Sequence, residues 1–568
     1  MAAVVTAIGL ALAAPSADAT TKPTHSKGHI KHLVVIYEEN HSFDNLYGRW
    51  GSVGGQRVDG LAAANRAHTV QVRQDGAPYK CLLQNDVNLS TPLNTPPGPL
   101  PVTCSEQVGT TTIDSHFRNR PFSIDDYIHP SDTTCPAPGD FSHPNGIPKG
   151  TGLPGGCTRD LVHRFYQEQY QLNGGMQNRY VTGSDAVGLT MGGYDTKQLP
   201  IYKYLHSQGA PNYVLADHFF QGAFGGSYLN HQWLIAGQAP TWASAPDGEH
   251  AVLDSNAFPK ASYPLYTSPQ PTTTHDGTVT QKCGLSTTIP GRLCGDYTVN
   301  TVLPPWQPTA TYAPHVPAFD DTSTPMNIGD QLSDAGVSWG WFAGGWDNAA
   351  GNVGGAGWTN GTTPGTCGDP NAAQGNYPYC PDKSFQPHHQ PFNYYTRYAP
   401  GTADRAAHLK DEKNFIASAQ AGSLPAVSFV KPVGSENEHP GYASEPNGSD
   451  HLVDLLKAID SGPDAEDTLV VVTYDEFGGQ WDHVSPPGQG NNAGPHDLFG
   501  PGTRIPALVI GRALRHSAVD HTSYDSTSII ASIERVFGLP ALSDRAASVH
   551  DLAPAIRAGY GSDYRSGG

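Results

Sequence analysis

Four consecutive apolar residues, Leu33-Val34-Val35-Ile36, run into Glu38-Glu39-Asn40-His41. A short unbroken apolar run suits a strand buried on both faces of a parallel sheet. The same pattern returns at 468–473 (TLVVVT), which ends in Asp475-Glu476, then Gly478-Gly479, then Asp482-His483. Further strands are predicted at 213–216, 337–342, 426–429 and 505–510. Helical spacing is predicted at 161–171, closed by Asn173-Gly174-Gly175, and at 199–207, 228–237, 403–418, 450–459, 527–536 and 549–556. The clearest amphipathic stripe is Leu452, Val453, Leu455, Leu456 and Ile459. Strands alternating with helices predict an α/β fold, a mostly parallel central sheet with helices on both faces.

Composition adds long loops to that core. Charged residues are 15% of the chain, against a usual figure of about 25%, while Gly (64) and Pro (49) are plentiful. Loop excursions are expected at about 50–160, 240–325 and 343–390 of a single domain, 31–560. The net charge of −19 disfavours nucleic-acid backbones and anionic lipid surfaces as partners. The 25 histidines alter that balance below about pH 6. Residues 2–14 form an apolar run too short to span a bilayer, followed by Ala17-Asp18-Ala19. This predicts a signal peptide over 1–19 and a flexible leader over 20–30, although the usual positive start is missing. Nothing later reads as membrane-inserted, and the expected location is secreted or periplasmic.

The eight cysteines fit an exported chain. They lie as neighbours in loop sequence: Cys81 and Cys104, Cys135 and Cys157, Cys283 and Cys294, Cys367 and Cys380. No CxxC zinc spacing occurs, so four local disulfides are expected, with connectivity left open by sequence.

Chemistry concentrates where apolar runs stop. In open α/β sheets, sites lie beyond the carboxyl ends of strands. Two acidic strand ends bring Glu39, Asn40, Asp475 and Glu476 to one rim, a ligand set for a hard divalent cation. The plainer alternative is two unrelated polar turns. Gly225-Gly226-Ser227 puts a hydroxyl before a helix, where it serves as a metal-activated nucleophile or simply as an N-cap. There is no GxSxG elbow. His163 on the 161–171 helix, the pair His388-His389, and His439 after Ser435-Glu436-Asn437-Glu438 suit a phosphoryl group or a leaving oxygen at acid pH. Each could equally be a surface histidine.

Taken together, YEENHSFDNLYG (37–48), LNGGM (172–176), DHFFQGAFGGSYLNHQ (217–232), KPVGSENEHPGYAS (431–444) and YDEFGGQWDHVSPP (474–487) resemble the bacterial phosphoesterase family of acid phosphatases and phospholipases C. That family belongs to the alkaline phosphatase-like superfamily. The resemblance implies metal ligation by Glu39, Asn40, Asp475, Glu476 and the Ser227 hydroxyl. It implies Ser227 as nucleophile through a phosphoserine intermediate, with His163, His388, His389 and His439 around the phosphate. His483 falls where the superfamily often keeps a further histidine. The metal stays open among calcium, magnesium, manganese and iron. The phospholipase branch usually reads Gly-Pro-Thr and Pro-Asn-Arg around the nucleophile. Gly225-Gly226-Ser227 and Leu229-Asn230-His231 look instead like the acid phosphatase branch. The expected activity is therefore hydrolysis of a small phosphate monoester at acid pH, with a phospholipase C-type phosphodiesterase second. A catalytically inactive surface-binding protein on the same scaffold is third. The sequence leaves the oligomeric state open.

Overall fold

The structure is a computed structural model. It describes residues 30–83, 100–136, 152–260, 276–284, 291–306, 316–319, 327–350, 384–441 and 443–560. The apolar runs form one eight-stranded sheet. Its strands are β1 (His32–Glu38), β2 (Asn212–Ala216), β3 (Trp339–Ala343), β4 (Leu409–Asp411), β5 (Val427–Lys431), β6 (Thr468–Tyr474), β7 (Ala507–Gly511) and β8 (Ala518–Asp520). The order is β4-β3-β5-β1-β6-β7-β2-β8. All neighbours pair in parallel except at β7, which runs against both β6 and β2. Every residue of β5 and β6 is buried. Successive strand side chains point to opposite faces, so both faces of the central sheet are covered.

Register decides what meets at the rim. Glu38 lies opposite Tyr474, so the next residues, Glu39 and Asp475, leave the sheet side by side. Ile36 lies opposite Val430, which brings Lys431 beside Tyr37. The longer helices include α1 (Phe165–Leu172), α2 (Ser227–Ala236), α3 (Glu412–Ala421), α4 (Glu445–Asp460), α5 (Thr527–Phe537) and α6 (Ala553–Tyr560).

Several expected boundaries move. The stretch 403–418 is not one helix: a short helix Ala403–His408 stops, β4 pairs with β3, and α3 begins. Asp411 makes the restart, its side chain accepting from Lys413 N as an N-cap. The helix expected at 161–171 begins only at Phe165, because Arg164 is extended (φ −115°, ψ 159°). His163 therefore sits in the segment before α1, not on it. Helix α4 starts earlier than 450, where Ser444 accepts from Asn447 N and Pro446 occupies the first turn. The last helix starts at Ala553, whose N–H donates to Asp551.

Three of the expected disulfides are present, Cys81–Cys104, Cys135–Cys157 and Cys283–Cys294. The pair Cys367 and Cys380, and the expected signal peptide, lie outside the described residues. Among the described residues no helix is long and apolar enough to cross a membrane.

Candidate active site

The two acidic strand ends converge on Ser227. Glu39, Asn40, Asp475 and Glu476 are fully buried, and Ser227 is 3% exposed. The Ser227 hydroxyl lies 3.1 Å from Glu39 Oε2 and 3.3 Å from Asn40 Oδ1. Asn40 N donates to Asp475 Oδ1 at 3.3 Å. Asn40 itself takes a left-handed backbone (φ 61°), which asparagine tolerates better than most residues. Two glycines make the convergence possible. A Cβ on Gly478 would stand 2.2 Å from the Asn40 carbonyl oxygen, and one on Gly225 would stand 2.7 Å from Phe165 N; both have positive φ. The N-cap of α2 is Gly226, and Ser227 is the first helical residue. Its hydroxyl is thus not consumed in capping and faces the acids instead.

Below Ser227, fully buried Glu168 on α1 shapes the turn. It accepts from Gly225 N (2.5 Å), Thr503 N (2.7 Å), Thr503 Oγ1 (2.8 Å) and Gln221 Nε2 (2.9 Å). Burial pushes its pKa up to about 7 even against those four donors. In Glu168→Gln, an amide NH₂ would face donors that now find an acceptor. We expect a loss of about 2–4 kcal/mol in urea unfolding and reduced turnover, since each unsatisfied buried polar group costs about 1–3 kcal/mol.

The histidines divide by their partners. His439 Nδ1 lies 2.7 Å from the Pro440 carbonyl, so Nδ1 carries the proton. Nε2 then accepts from Asn40 Nδ2 at 2.8 Å, which fixes the Asn40 amide with Oδ1 toward Ser227. His163 Nδ1 likewise donates to Leu161 O at 2.5 Å. Its Nε2 faces Glu476 Oε1 at 3.5 Å; with the ring neutral and the acid ionised these are two acceptors, a pair that a cation between them would reconcile. His389 Nδ1 lies 3.2 Å from Glu39 Oε1. His388 packs edge-on against His389, ring centroids 4.3 Å apart. His483 is elsewhere, 2.5 Å from Asp44 Oδ2 and 3.3 Å from Asp59 Oδ1. Arg504 completes that network through Asp44 (3.2 Å) and Asp482 (3.0 Å).

Electrostatics mark the centre as short of positive charge. Burial first, and then Asp475, raises Glu39 to about 8, although Lys431 opposes the shift. Burial also raises Asp475, and burial with Asp475 raises Glu476 well above the carboxylate range. Asp475 Oδ2 and Glu476 Oε1 are buried without a hydrogen-bonding partner. A cation among these oxygens would relieve the repulsion and satisfy both atoms, so the residues present fit a hard divalent ion. Burial drives the imidazoles the other way. His389 and His439 fall well below 6.5. The protein packed around His388, together with Lys431, pushes it to about 3, although part of its ring reaches solvent. Burial thus disfavours the charged form of these imidazoles in the protein without substrate or metal.

Three residues were not singled out from sequence. Lys431 pairs with Glu39 Oε1 and donates to Tyr37 O at 3.0 Å; its signal was a lone cation ending the apolar run VSFVK. His231 contacts Ser227 O at 2.8 Å through Nδ1 and stacks on His389 at 4.8 Å. Glu168 gave no signal beyond an acid in an otherwise uncharged helix, FYQEQYQL.

The chain is similar to known proteins. The model of the Phosphoesterase family matches residues 30–540. Over 148 residues the chain is 34% identical to phospholipase C B of Mycobacterium tuberculosis, covering 22% of this chain and 28% of that protein. It is 28% identical over 149 residues to non-specific phospholipase C6 of Arabidopsis thaliana, covering 22% and 28%. It is 31% identical over 139 residues to non-hemolytic phospholipase C of Burkholderia pseudomallei, covering 20% and 19%. The chain thus spans less than a third of the length of each of these relatives. Among solved structures, a protein in the alkaline phosphatase superfamily from Vibrio parahaemolyticus matches 40% of this chain and 50% of its own. The identity is 11% and the TM-score 0.23, too low for any argument to rest on it.

Proposed function

The chain belongs to the phosphoesterase family, and from that premise we propose a metal-dependent phosphomonoester hydrolase with Ser227 as nucleophile. The observation that carries this reading is the buried Ser227 hydroxyl set against Glu39 and Asn40, beside two buried carboxylate oxygens that lack partners. Glu39, Asn40, Asp475 and Glu476 would hold a divalent cation, whose charge lowers the hydroxyl pKa and offsets that of the phosphate. Ser227 Oγ attacks phosphorus in line, the bond to the leaving oxygen breaks, and a phosphoserine forms. Water then displaces the phosphate from Ser227 and restores the hydroxyl. The first-turn N–H groups of α2 face the transferred group, as helix N-termini do for anions. His163, His388 and His389 stand around it, and the proton released by the Ser227 hydroxyl, relayed through solvent, leaves with the alcohol. His439 acts by holding Asn40. The disulfides favour an extracytoplasmic location.

Phospholipase C-type hydrolysis of a phosphodiester is the second reading, favoured by the names of the relatives. The two separate by assaying p-nitrophenyl phosphate against phosphatidylcholine at matched concentration and pH. We expect the monoester to have the higher kcat/KM by at least about tenfold, or 1.4 kcal/mol in transition-state binding. The reverse order assigns the diesterase. No turnover of either, in protein shown to contain metal, would leave the binding-protein reading.

A further inference from the structure

A second convergence of ligand atoms lies away from Ser227. Glu412 opens α3, His451 lies in the second turn of α4, and Glu436 belongs to the loop between β5 and α4. His451 Nε2 is 2.9 Å from Glu412 Oε1 and 3.8 Å from Glu436 Oε2. One ligand atom from each residue lies within 4.8 Å of the other two. A tetrahedral zinc ion with bonds of about 2.1 Å holds its ligands roughly 3.4 Å apart, and 2.9 and 3.8 Å bracket that spacing. An independent sign of a missing ligand is the Glu412 carboxylate, whose side chain is 8% exposed while its Oε2 has no hydrogen-bonding partner. Burial alone would lower the His451 pKa, but the hydrogen bond and charge of Glu412, with Glu436 and Glu38, hold it up to about 9.

We infer that Glu412, Glu436 and His451 form a structural site for a zinc-class divalent ion, with solvent completing the coordination. On binding, His451 gives its proton to solvent and its nitrogen pair to the ion. Imidazole with two carboxylates suits such an ion better than calcium or magnesium, which take oxygen ligands. Its effect would be to tie the loop bearing His439 to α3 and α4, since Glu436 stands three residues before His439. The half-exposed Glu436 side chain (46%) leaves the ion a route in.

The test is independent of the Ser227 centre. Zinc bound per chain is measured by equilibrium dialysis and elemental analysis in Asp475→Asn, and in Asp475→Asn combined with His451→Ala. The first should hold one zinc more than the second and should gain thermal stability on zinc addition that the second lacks. Equal zinc contents would overturn the site. Should His451→Ala not fold, Glu436→Gln at a half-exposed position should weaken zinc binding at least about tenfold, and unchanged affinity there overturns the site equally.

Discussion

Ser227→Ala should lower kcat for phosphate-ester hydrolysis by on the order of 10⁴ or more, the scale seen when a covalent nucleophile is removed, with an unchanged far-UV spectrum. The fold has little to lose. Ser227 is the first residue of α2, and the cap is Gly226, so alanine keeps every backbone bond and adds helix propensity. The hydroxyl faces Glu39 and Asn40, with Asp475 beside it, and its loss would leave their oxygens to the cation. A stopped-flow burst of product, with phosphate trapped on the protein after acid quench, should be present in the parent and absent in the variant. Full turnover by Ser227→Ala removes the nucleophile from the account.

Asp475→Asn should act in opposite directions on activity and on stability. Partners that only orient a metal ligand change affinity or activity by about 10–100-fold when lost, so removing a ligand itself should exceed about 100-fold. Without metal, however, Asp475 is a buried acid that raises the pKa of both Glu39 and Glu476. Neutralising it removes like-charge repulsion. The metal-free variant should therefore unfold at higher urea than the metal-free parent, by about 0.5–2 kcal/mol, the usual gain when a strained site is relaxed. Measuring both proteins after exhaustive chelation checks the sign. A metal-free variant less stable than the parent would mean that Asp475 is held by hydrogen bonds rather than poised for an ion.

Much of this architecture could be read from the chain because charge interrupts apolar runs so sharply. An apolar run of four to six residues is short for a helix and suits a strand buried on both faces, and Glu39, Asn40, Asp475 and Glu476 stand just past two such runs. What sequence could not supply was register. Lys431 reaches Glu39 only because β5 pairs with β1 at Ile36 and Val430, a contact between segments nearly four hundred residues apart. The edge strand Leu409–Asp411 escaped for the same reason, since three residues inside a helical pattern become a strand only when Trp341 to Ala343 lie beside them. Histidine roles depended on tautomers, and those follow from single carbonyls, Pro440 for His439 and Leu161 for His163. His439 looked like a phosphate partner in the sequence; its geometry makes it the residue that orients Asn40.

The most direct measurement is an anomalous difference map from crystals of the full chain grown with manganese, which accepts oxygen ligands and scatters anomalously. One strong peak is expected about 2.0–2.6 Å from carboxylate oxygens of Glu39, Asp475 and Glu476 and from the Ser227 hydroxyl. A map without density there, with Asp475 and Glu476 satisfied instead by Lys431 or by shared protons, would contradict it.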